Sequence, residues 1–449
     1  MQPWIGDFVH AYSRAGPSIR PYRNAAVSFR HCRLGDYAHR VRLVNEAGLN
    51  VFRFPAREIP GCDLLTDSGT TTMTMVQWSQ MFLGDESYGS NEGYFDLKQQ
   101  ITETFGETWV NRDRNRENVF IFHQGRAAEH GLFRAISRLW APRDAGRPIV
   151  PSNGHFDTTQ ANISDNGMEP INLFCPELRA KSRSAPFKGN MDLAALRDLL
   201  EDSTMRARVP LVYMTITNNT GGGQPVSLQN MRAVRRMTER YGIPFLFDAC
   251  RFAENAWFIK EREPGMGGES ITSIVHSMFD CVDGFHISLK KDGLVNIGGA
   301  LVVKENGLLD ERFPTLRSLL EDHQILVEGH PTYGGLAGRD LKAAVEGLRT
   351  VVHEEYLRYR ISQVHRFGER IKELSGNTRI VVSPIGGHAV YLDMDEFFRG
   401  TKLKDADFPG ISLTALLLIA GHRLCELGLY AFGRFGKGRE IPPSPRVNN

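Results

Sequence analysis

The sequence lacks the features that mark membrane, secreted and nucleic-acid-binding proteins. The best candidate for a membrane span, ISLTALLLIAG at Ile411 to Gly421, is too short and predicts a buried helix instead. A net charge of only +2 over 449 residues gives no reason to expect nucleic-acid or membrane binding. The six cysteines are scattered without a CxxC pair, which argues against a disulfide framework or a zinc site. We therefore expect a cytoplasmic globular protein.

Acidic residues are absent from Phe8 to Gly35, where five arginines occur. This composition is compatible with a transit peptide. Pro17 and Pro21 interrupt the stretch, and no amphipathic repeat is obvious. We therefore expect an irregular N-terminal arm.

The length of the chain predicts two domains, since one core seldom serves 449 residues. Strand and helix patterns alternate from about Val119 to Val303, which is typical of a mostly parallel sheet covered by helices. A long helix is predicted from about Asp340 to Leu374, followed by a β-hairpin at Ile380 to Met394. These patterns predict a second, smaller α+β domain made by both chain ends.

The stretch SLKKDG, from Ser288 to Gly293, places two lysines at the predicted end of a strand. One of these amines could reach into a cleft and form a Schiff base with a carbonyl cofactor. The alternative is a solvated turn with two surface lysines balanced by Asp292. The stretch alone leaves both interpretations open.

A second pattern, VFIFHQGRAAEHGLFRAI, predicts a strand, a turn and a helix. The turn residues Gln124, Gly125 and Arg126 would offer free backbone N–H groups and a guanidinium to an anion. The alternative is an ordinary strand-to-helix junction with a surface arginine. Asn219, Asp248–Arg251 and the lysine pair also fall at predicted strand ends, where ligands of such sheets bind, so we expect one shared site.

Several long motifs resemble those of the aromatic amino acid β-eliminating lyases, the family of tryptophanase and tyrosine phenol-lyase. They occur in the family's order from about Pro21 onwards: GDESY, HQGRAAE, HFDTTQ, TGGGQPVSLQNMRAV, FDACRFAENAWFIKERE, SLKKDGLVNIGG and PTYGGLAGRD. The resemblance implies the α/β fold type I of pyridoxal phosphate (PLP) enzymes, like that of aspartate aminotransferase. It also implies a homotetramer built as a dimer of dimers. The domains expected are 1–66 (arm and part of the small domain), 67–335 (large cofactor-binding domain) and 336–449 (C-terminal small domain).

The resemblance assigns the cofactor site residue by residue. Lys291 would carry PLP and later take the substrate's α-proton, while Lys290 would tune that amine through its like charge. Asp248 would pair with the pyridine nitrogen, and Phe156 would stack on the ring. The ring hydroxyl would lie near Asn219 and Arg251. The phosphate would be bound by Gln124, Gly125, Arg126 and Ser288.

The resemblance also assigns the substrate side. Tyr88 matches the tyrosine that protonates the leaving group, as a phenol can at neutral pH. Thr66 and Ser68 match a substrate-binding loop, and Tyr333 would reach the site from a neighbouring subunit. The potassium site of the family matches Gly69, Glu86 and Asn296.

The implied reaction is β-elimination of an aromatic amino acid to pyruvate, ammonium and an aromatic leaving group. Leu427 stands where tyrosine phenol-lyases carry a phenol-binding arginine, so the motif favours tryptophan, with tyrosine as the alternative. A threonine-aldolase-like lyase is a further alternative, but it would not need Tyr88 or the cation site.

The C-terminal motif departs from the family, because no residue matches the arginine that binds the substrate carboxylate, and Arg446 lies outside that motif. An insertion lies around Arg112 to Arg116. A truncated, PLP-binding protein with little activity is therefore another expectation.

Overall fold

The computed structural model describes residues 36–113, 116–140, 146–181, 183–403 and 407–427, together with the short strand Val447–Asn448. The arm predicted over 1–35, Arg446, and Arg114 and Asn115 of the insertion lie outside the described residues. No described helix is both long enough and apolar enough to cross a bilayer.

A seven-stranded sheet forms the centre of the protein, in the order β1-β7-β6-β5-β4-β2-β3. Its strands are β1 (Val119–Phe122), β2 (Ile149–Ser152), β3 (Glu169–Asn172), β4 (Val212–Thr215), β5 (Phe245–Asp248), β6 (Gly284–Ser288) and β7 (Gly299–Val303). Strand β7 runs antiparallel to both of its neighbours, and the other pairs are parallel. This confirms the predicted α/β fold with a mostly parallel sheet.

Apart from the half-buried edge strand β3, the strands are buried on both faces, as the period of two residues along a strand requires when helices cover each side. In β1, Val119 and Ile121 pack into one core cluster, whereas Phe120 and Phe122 pack into the other. This burial on both faces explains why the strands read as continuous apolar runs in the sequence.

Helices surround the sheet and continue beyond it. They are α1 (Tyr37–Glu46), α2 (Met75–Phe82), α3 (Glu92–Phe105), α4 (Gly125–Leu139), α5 (Asp157–Asp165), α6 (Pro176–Arg179), α7 (Leu193–Glu201), α8 (Ser203–Arg206), α9 (Leu228–Arg240), α10 (Phe252–Arg262), α11 (Ile271–Phe279), α12 (Leu308–Arg312), α13 (Leu316–Val327), α14 (Gly338–Val351), α15 (Glu354–Ser375), α16 (Met394–Phe397) and α17 (Pro409–Ile419). Short 3-10 helices occur at Ala56–Glu58 and Glu107–Trp109.

The single helix predicted from Asp340 to Leu374 is wrong in one respect, because the segment forms two helices, α14 and α15. His353 between them has an extended backbone and is the N-cap residue of α15. Glu354 and Glu355 then occupy the first turn of α15, where acidic side chains stabilise a helix. The break lets each helix pack at its own angle, which a continuous apolar periodicity cannot reveal.

Segments from both ends of the described chain pack together. Val44, Phe54 and Ile59 share a core cluster with Ala415 and Leu418 of α17. The chain reverses direction where the hairpin was predicted, because Val381 and Leu392 form an antiparallel bridge. Strand β8 (Leu392–Asp393) also pairs with β9 (Val447–Asn448). The division into domains at residues 66 and 335 stays a prediction.

The parallel register brings polar side chains together at one edge of the sheet. Thr215 pairs with Asp248 across β4 and β5, and Asp248 pairs with His286 across β5 and β6. Ser288 ends β6, and the lysine pair follows it. The carboxyl ends of the strands therefore converge on the neighbourhood of the lysines, as expected for this class of sheet.

Candidate active site

A cavity opens around the lysine pair at this edge. It is lined by Ser68, Gln124, Gly125, Arg126, Glu129, Phe156, Thr158, Asp248, Cys250, His286, Ser288, Lys290 and Lys291. The Nζ atom of Lys291 lies 5.3 Å from the centroid of the Phe156 ring. Eight of the residues predicted for the cofactor thus share one cavity, although they come from four separate segments of sequence.

The N-terminus of α4 forms one end of the cavity. Gln124 is the N-cap residue, and its side chain makes no capping hydrogen bond, so backbone N–H groups of the first turn remain available. Gly125 packs tightly against Ser288, where an added Cβ would lie 2.7 Å from the serine Cβ. A side chain at position 125 would therefore push the helix away from β6 and disturb this end.

Three cations border the cavity without a carboxylate partner among the described residues: Arg126, Lys290 and Lys291. The pKa of Lys290 is lowered by burial, and also by the like charges of Arg126 and Lys291. Like charges held this close favour binding of an anion between them. The helix N-terminus beside them presents the matching hydrogen-bond donors.

Asp248 lies at the opposite side in a buried polar cluster. Its Oδ1 atom lies 3.5 Å from His286 Nε2, and the same Nε2 lies 3.2 Å from Oε1 of Glu129. Cys250 donates its backbone N–H to Asp248 Oδ1 over 3.2 Å. Sequence reasoning did not identify Glu129 or His286, although a lone histidine in the apolar run of β6 was an available signal.

Asn219 and Arg251 do not line the lysine cavity. Asn219 Oδ1 accepts hydrogen bonds from Tyr391 and His388, the latter over 2.8 Å. Arg251 forms a two-point ion pair with Asp67, with distances of 2.7 and 2.8 Å. Burial acts to raise the pKa of Asp67, but Arg251 outweighs it and holds the pKa well below its usual range. Sequence reasoning missed Asp67, which lies between the predicted Thr66 and Ser68.

A further buried network supports these residues. Glu254 accepts from His388 over 2.7 Å and from Arg360 over 3.0 Å, and Arg360 also pairs with Asp292 over 3.0 Å. Asp292 is fully buried and accepts the Ala253 N–H, so it does not balance surface lysines. The solvated-turn interpretation of SLKKDG is therefore wrong, since this carboxylate anchors the lysine turn to α10 and α15.

Tyr88 lies outside the lysine cavity of its own chain. The residue is 77% exposed, and its ring packs on Tyr333 with the centroids 5.0 Å apart. Tyr88 and Tyr333, both predicted for the substrate side, therefore contact each other at the surface.

The predicted substrate loop and cation site are assembled in part. Ser68 lines the cavity and donates its N–H to Oγ1 of the exposed Thr66 over 3.0 Å. Asn296 donates to the Gly69 carbonyl over 3.2 Å, which brings two of the three predicted cation ligands together. Glu86 is exposed and bonds to Arg339 over 2.5 Å instead.

Asp248, Cys250 and His286 also place possible metal-ligand atoms within 4.8 Å of one another. We assign them to a hydrogen-bond cluster, because the Nε2 atom of His286 already faces Glu129 and Asp248. Sγ of Cys250 accepts the backbone N–H of Ser288 over 3.2 Å.

PLP fits the residues of this cavity. An amine, an aromatic ring, a carboxylate and a cationic helix N-terminus match the aldehyde, ring, nitrogen and phosphate of the cofactor. Two buried polar atoms, Nε2 of His155 and Oγ1 of Thr215, have no hydrogen-bond partner among the described residues. Thr215 is the strand neighbour of Asp248.

Comparison with known proteins agrees with this chemistry. The family described as beta-eliminating lyase matches residues 63–434. A tryptophanase from Rhodobacter capsulatus is 43% identical over 94% of this chain and 86% of its own. A tyrosine phenol-lyase from Clostridium tetani is 39% identical over 87% of this chain and 78% of its own.

Solved structures agree on the fold. Aspartate aminotransferase from Thermotoga maritima superposes with a TM-score of 0.57 at 12% identity, covering 92% of this chain and 89% of that one. Such low identity establishes the architecture alone. Both the expected resemblance and the expected aminotransferase-like fold are confirmed, and the chain belongs to the β-eliminating lyases, a family of PLP-dependent enzymes.

Proposed function

We propose that this lyase cleaves L-tryptophan, with water, to indole, pyruvate and ammonium. The observation that carries the proposal is the Lys291 amine, held 5.3 Å from the Phe156 ring in a cavity shared with Asp248 and the α4 N-terminus. PLP, when bound there, supplies an electron sink for negative charge at the substrate's α-carbon.

Lys291 anchors the cofactor and then, once released, removes the α-proton of the substrate. Its position supports both roles, since the amine emerges from a turn fixed by buried Asp292 and has no carboxylate partner among the described residues. Asp248 would accept a hydrogen bond from the protonated ring nitrogen and so hold that nitrogen positive, and Phe156 would pack on the ring face. Lys290 and Arg126 keep the local field positive.

The phosphate is held where α4 meets β6. Backbone N–H groups near Gln124 and Gly125, the Arg126 guanidinium and the Ser288 hydroxyl are the donors we assign. Arginine suits this role, because its planar donors match phosphate oxygens. Asn219 and Arg251 remain our assignments near the ring hydroxyl, although each is bonded to another residue in the structure.

Tyr88 protonates the carbon of the leaving indole, and we assign it to the cavity of a neighbouring chain. It is highly exposed and packs on Tyr333, the residue expected to cross between subunits. Tyrosine is enriched at protein–protein interfaces, and a two-fold interface uses the same surface patch of both chains. A homotetramer, built as a dimer of dimers, provides such an interface.

Potassium is the proposed cation at the Gly69 and Asn296 backbone, with Glu86 joining from a neighbouring chain. Oxygen ligands suit a hard monovalent cation. Thr66 and Ser68 bind the substrate from the adjacent loop. A cytoplasmic location is in keeping with the five described cysteines, all of which are free.

Tryptophan is preferred over tyrosine as the substrate because Leu427 offers no charge to a phenol hydroxyl. Leu427 is half-buried and follows Cys425, whose pKa is raised to about 11 by burial and also by Glu426 and Asp157. Tyrosine is the second candidate, favoured by the phenol-lyase relative at 39% identity.

A direct test incubates the PLP-loaded protein with L-tryptophan or L-tyrosine and measures indole, phenol and pyruvate. Indole with equimolar pyruvate supports the proposal. Phenol from tyrosine at a higher kcat/KM would reverse the substrate assignment. A cofactor-loaded, folded protein that releases neither would instead be a PLP-binding protein with little lyase activity.

A further inference from the structure

His286, to which the proposed reaction gives no role, occupies the centre of a buried charged cluster. Its ring is 1% exposed. Nε2 faces two carboxylates, at 3.2 Å from Glu129 Oε1 and 3.5 Å from Asp248 Oδ1. Sγ of Cys250 lies 3.7 Å from the same nitrogen, and the Tyr213 hydroxyl is hydrogen-bonded to Nδ1. The ring is thus contacted by groups from α4, β4 and the end of β5.

The protonation of the ring follows from these partners. Ionised carboxylates only accept hydrogen bonds, so Nε2 must carry a proton. Burial opposes a charge on the ring, but Asp248, Cys250 and Glu129 outweigh it and raise the pKa of His286 well above its usual value. Burial likewise acts to raise the pKa of Glu129, but His286 lowers it to about 2.

The hydroxyl and ring groups that contact the cluster add no charge to it, whereas the cations Arg126, Lys290 and Lys291 border the cavity beside it. The hydroxyls of Thr158 and Thr159 donate to Glu129 over 3.0 and 2.5 Å. Burial lowers the pKa of the nearby His155 to about 4, so this second histidine stays neutral. Burial raises the pKa of Tyr213, which therefore remains a phenol. Two carboxylates and one imidazolium leave a single negative charge.

We propose that His286 is a positioning residue whose imidazolium allows Glu129 and Asp248 to be ionised together, and so keeps Asp248 as the acceptor for the protonated ring nitrogen of PLP. This inference rests on the proposed function. The remaining negative charge matches the single positive charge of that nitrogen. Without the imidazolium, two buried carboxylates would share one proton, as neighbouring carboxylates do.

The effect of removing His286 is a pH dependence that a merely structural role would not produce. In His286→Gln, the carboxylate pair binds a proton at lower pH, and Asp248 becomes a poorer acceptor. The affinity for PLP should therefore fall about 10- to 100-fold near pH 6.5 and approach that of the wild type near pH 9, since charged hydrogen bonds are worth about this much. The wild type should show no such change between these pH values.

The double variant His286→Gln/Glu129→Gln gives the decisive comparison. It removes the second carboxylate, so no proton is shared, and PLP affinity should again be nearly independent of pH. His323→Gln on α13 serves as the matched control, because it removes another buried histidine outside the cavity. PLP dissociation constants are measured by titrating the apoenzymes at pH 6.5 and 9, alongside thermal midpoints.

Restored pH independence in the double variant supports the proposal, including the case in which His286→Gln alone does not fold. If the PLP affinity of His286→Gln stays within about twofold of that of the wild type at both pH values, the proposal is overturned. A double variant as pH-dependent as the single one overturns it as well. Failure of the wild type to bind PLP would instead contradict the proposed function.

Discussion

The cavity around Lys291 and the surface around Tyr88 differ in how completely one chain builds them. Around Lys291, strand ends and the α4 N-terminus bring together a ring, a carboxylate and three cations. Tyr88 is 77% exposed, and only Tyr333 packs on its ring among the described aromatic residues. The cofactor side of the site is therefore preassembled, whereas the leaving-group side faces outward.

This difference has a physical origin. Backbone pairing fixes Asp248 beside His286 and places Ser288 at the end of β6, so these residues are brought together within one chain. Tyr88 lies in a loop between α2 and α3, where no strand register constrains it. We infer that the sheet positions the residues that would hold the cofactor, whereas a neighbouring chain supplies the proton for the leaving group.

Replacing Lys291 with alanine should break the preassembled side most severely. We expect kcat to fall by ~10⁴-fold or more, because the variant loses both the covalent anchor and the proton acceptor. The visible absorption band of the lysine-bound cofactor should disappear in a spectrum of the PLP-treated protein. Lys290→Ala is the matched control and should keep the band, and a band that persists in Lys291→Ala would refute our choice of lysine.

Replacing Tyr88 with phenylalanine should affect the outward-facing side alone. Loss of a general acid predicts a decrease of about 10²- to 10⁴-fold in kcat for tryptophan, with PLP affinity unchanged. Tyr37→Phe, which alters another exposed tyrosine, should have wild-type activity. Weaker PLP binding in Tyr88→Phe would contradict the separation of the two sides.

The ion pair between Asp67 and Arg251 connects the substrate loop to β5, and Asp67→Asn should lower the free energy of unfolding by about 2–3 kcal/mol at pH 7. Because the pKa of Asp67 is depressed in the fold, its stabilisation is present above an ordinary carboxyl pKa of about 4 and is lost as pH falls further. Denaturant unfolding of wild type and variant should therefore converge below about pH 4.

Glu373→Gln removes an exposed partner of Arg370 and should cost less than about 1 kcal/mol, which makes it the control for the Asp67 variant. A difference between wild type and Asp67→Asn that stays constant from pH 7 to pH 3 would show that the pair does not titrate as described.

The smallest effect is expected at the proposed cation site. Glu86→Gln should raise the potassium concentration that gives half-maximal activity by about 3- to 10-fold, because one charged ligand is lost. Arg339→Gln, which frees Glu86 from its present partner, should lower that concentration or leave it unchanged. If the activity of the wild type is the same in sodium as in potassium, the proposed cation site is contradicted.

Local patterns were sufficient to predict much of the sheet and the meeting of polar residues at its carboxyl edge, whereas the cofactor roles of those residues came from the family resemblance. The apolar run Val119–Phe122 forms β1, as expected. The glycine and arginine that follow β1 and the lysines that follow β6 each lie just after a strand, also as expected. These features depend on a few neighbouring residues and on the rule that ligands bind at carboxyl strand ends.

Features that depend on register or on long-range pairing could not be predicted. His286 meets Asp248 only because β5 and β6 pair in one particular register, and Glu129 reaches them from α4. Asp292 resembled a surface counterion until α15 brought Arg360 to it. These pairs join residues that are far apart in the sequence, and the periodicity of the sequence contains no information about which residues pair.

The most direct test of the two-sided site mixes two inactive chains. Lys291→Ala and Tyr88→Phe subunits are co-expressed with different tags, and hetero-oligomers are assayed for indole release from tryptophan. If Tyr88 serves a neighbouring cavity, mixed symmetric pairs regain one intact site, and a random mixture should recover about a quarter of wild-type activity. Activity no higher than that of the separate variants, in hetero-oligomers shown to contain both chains and PLP, would contradict the account.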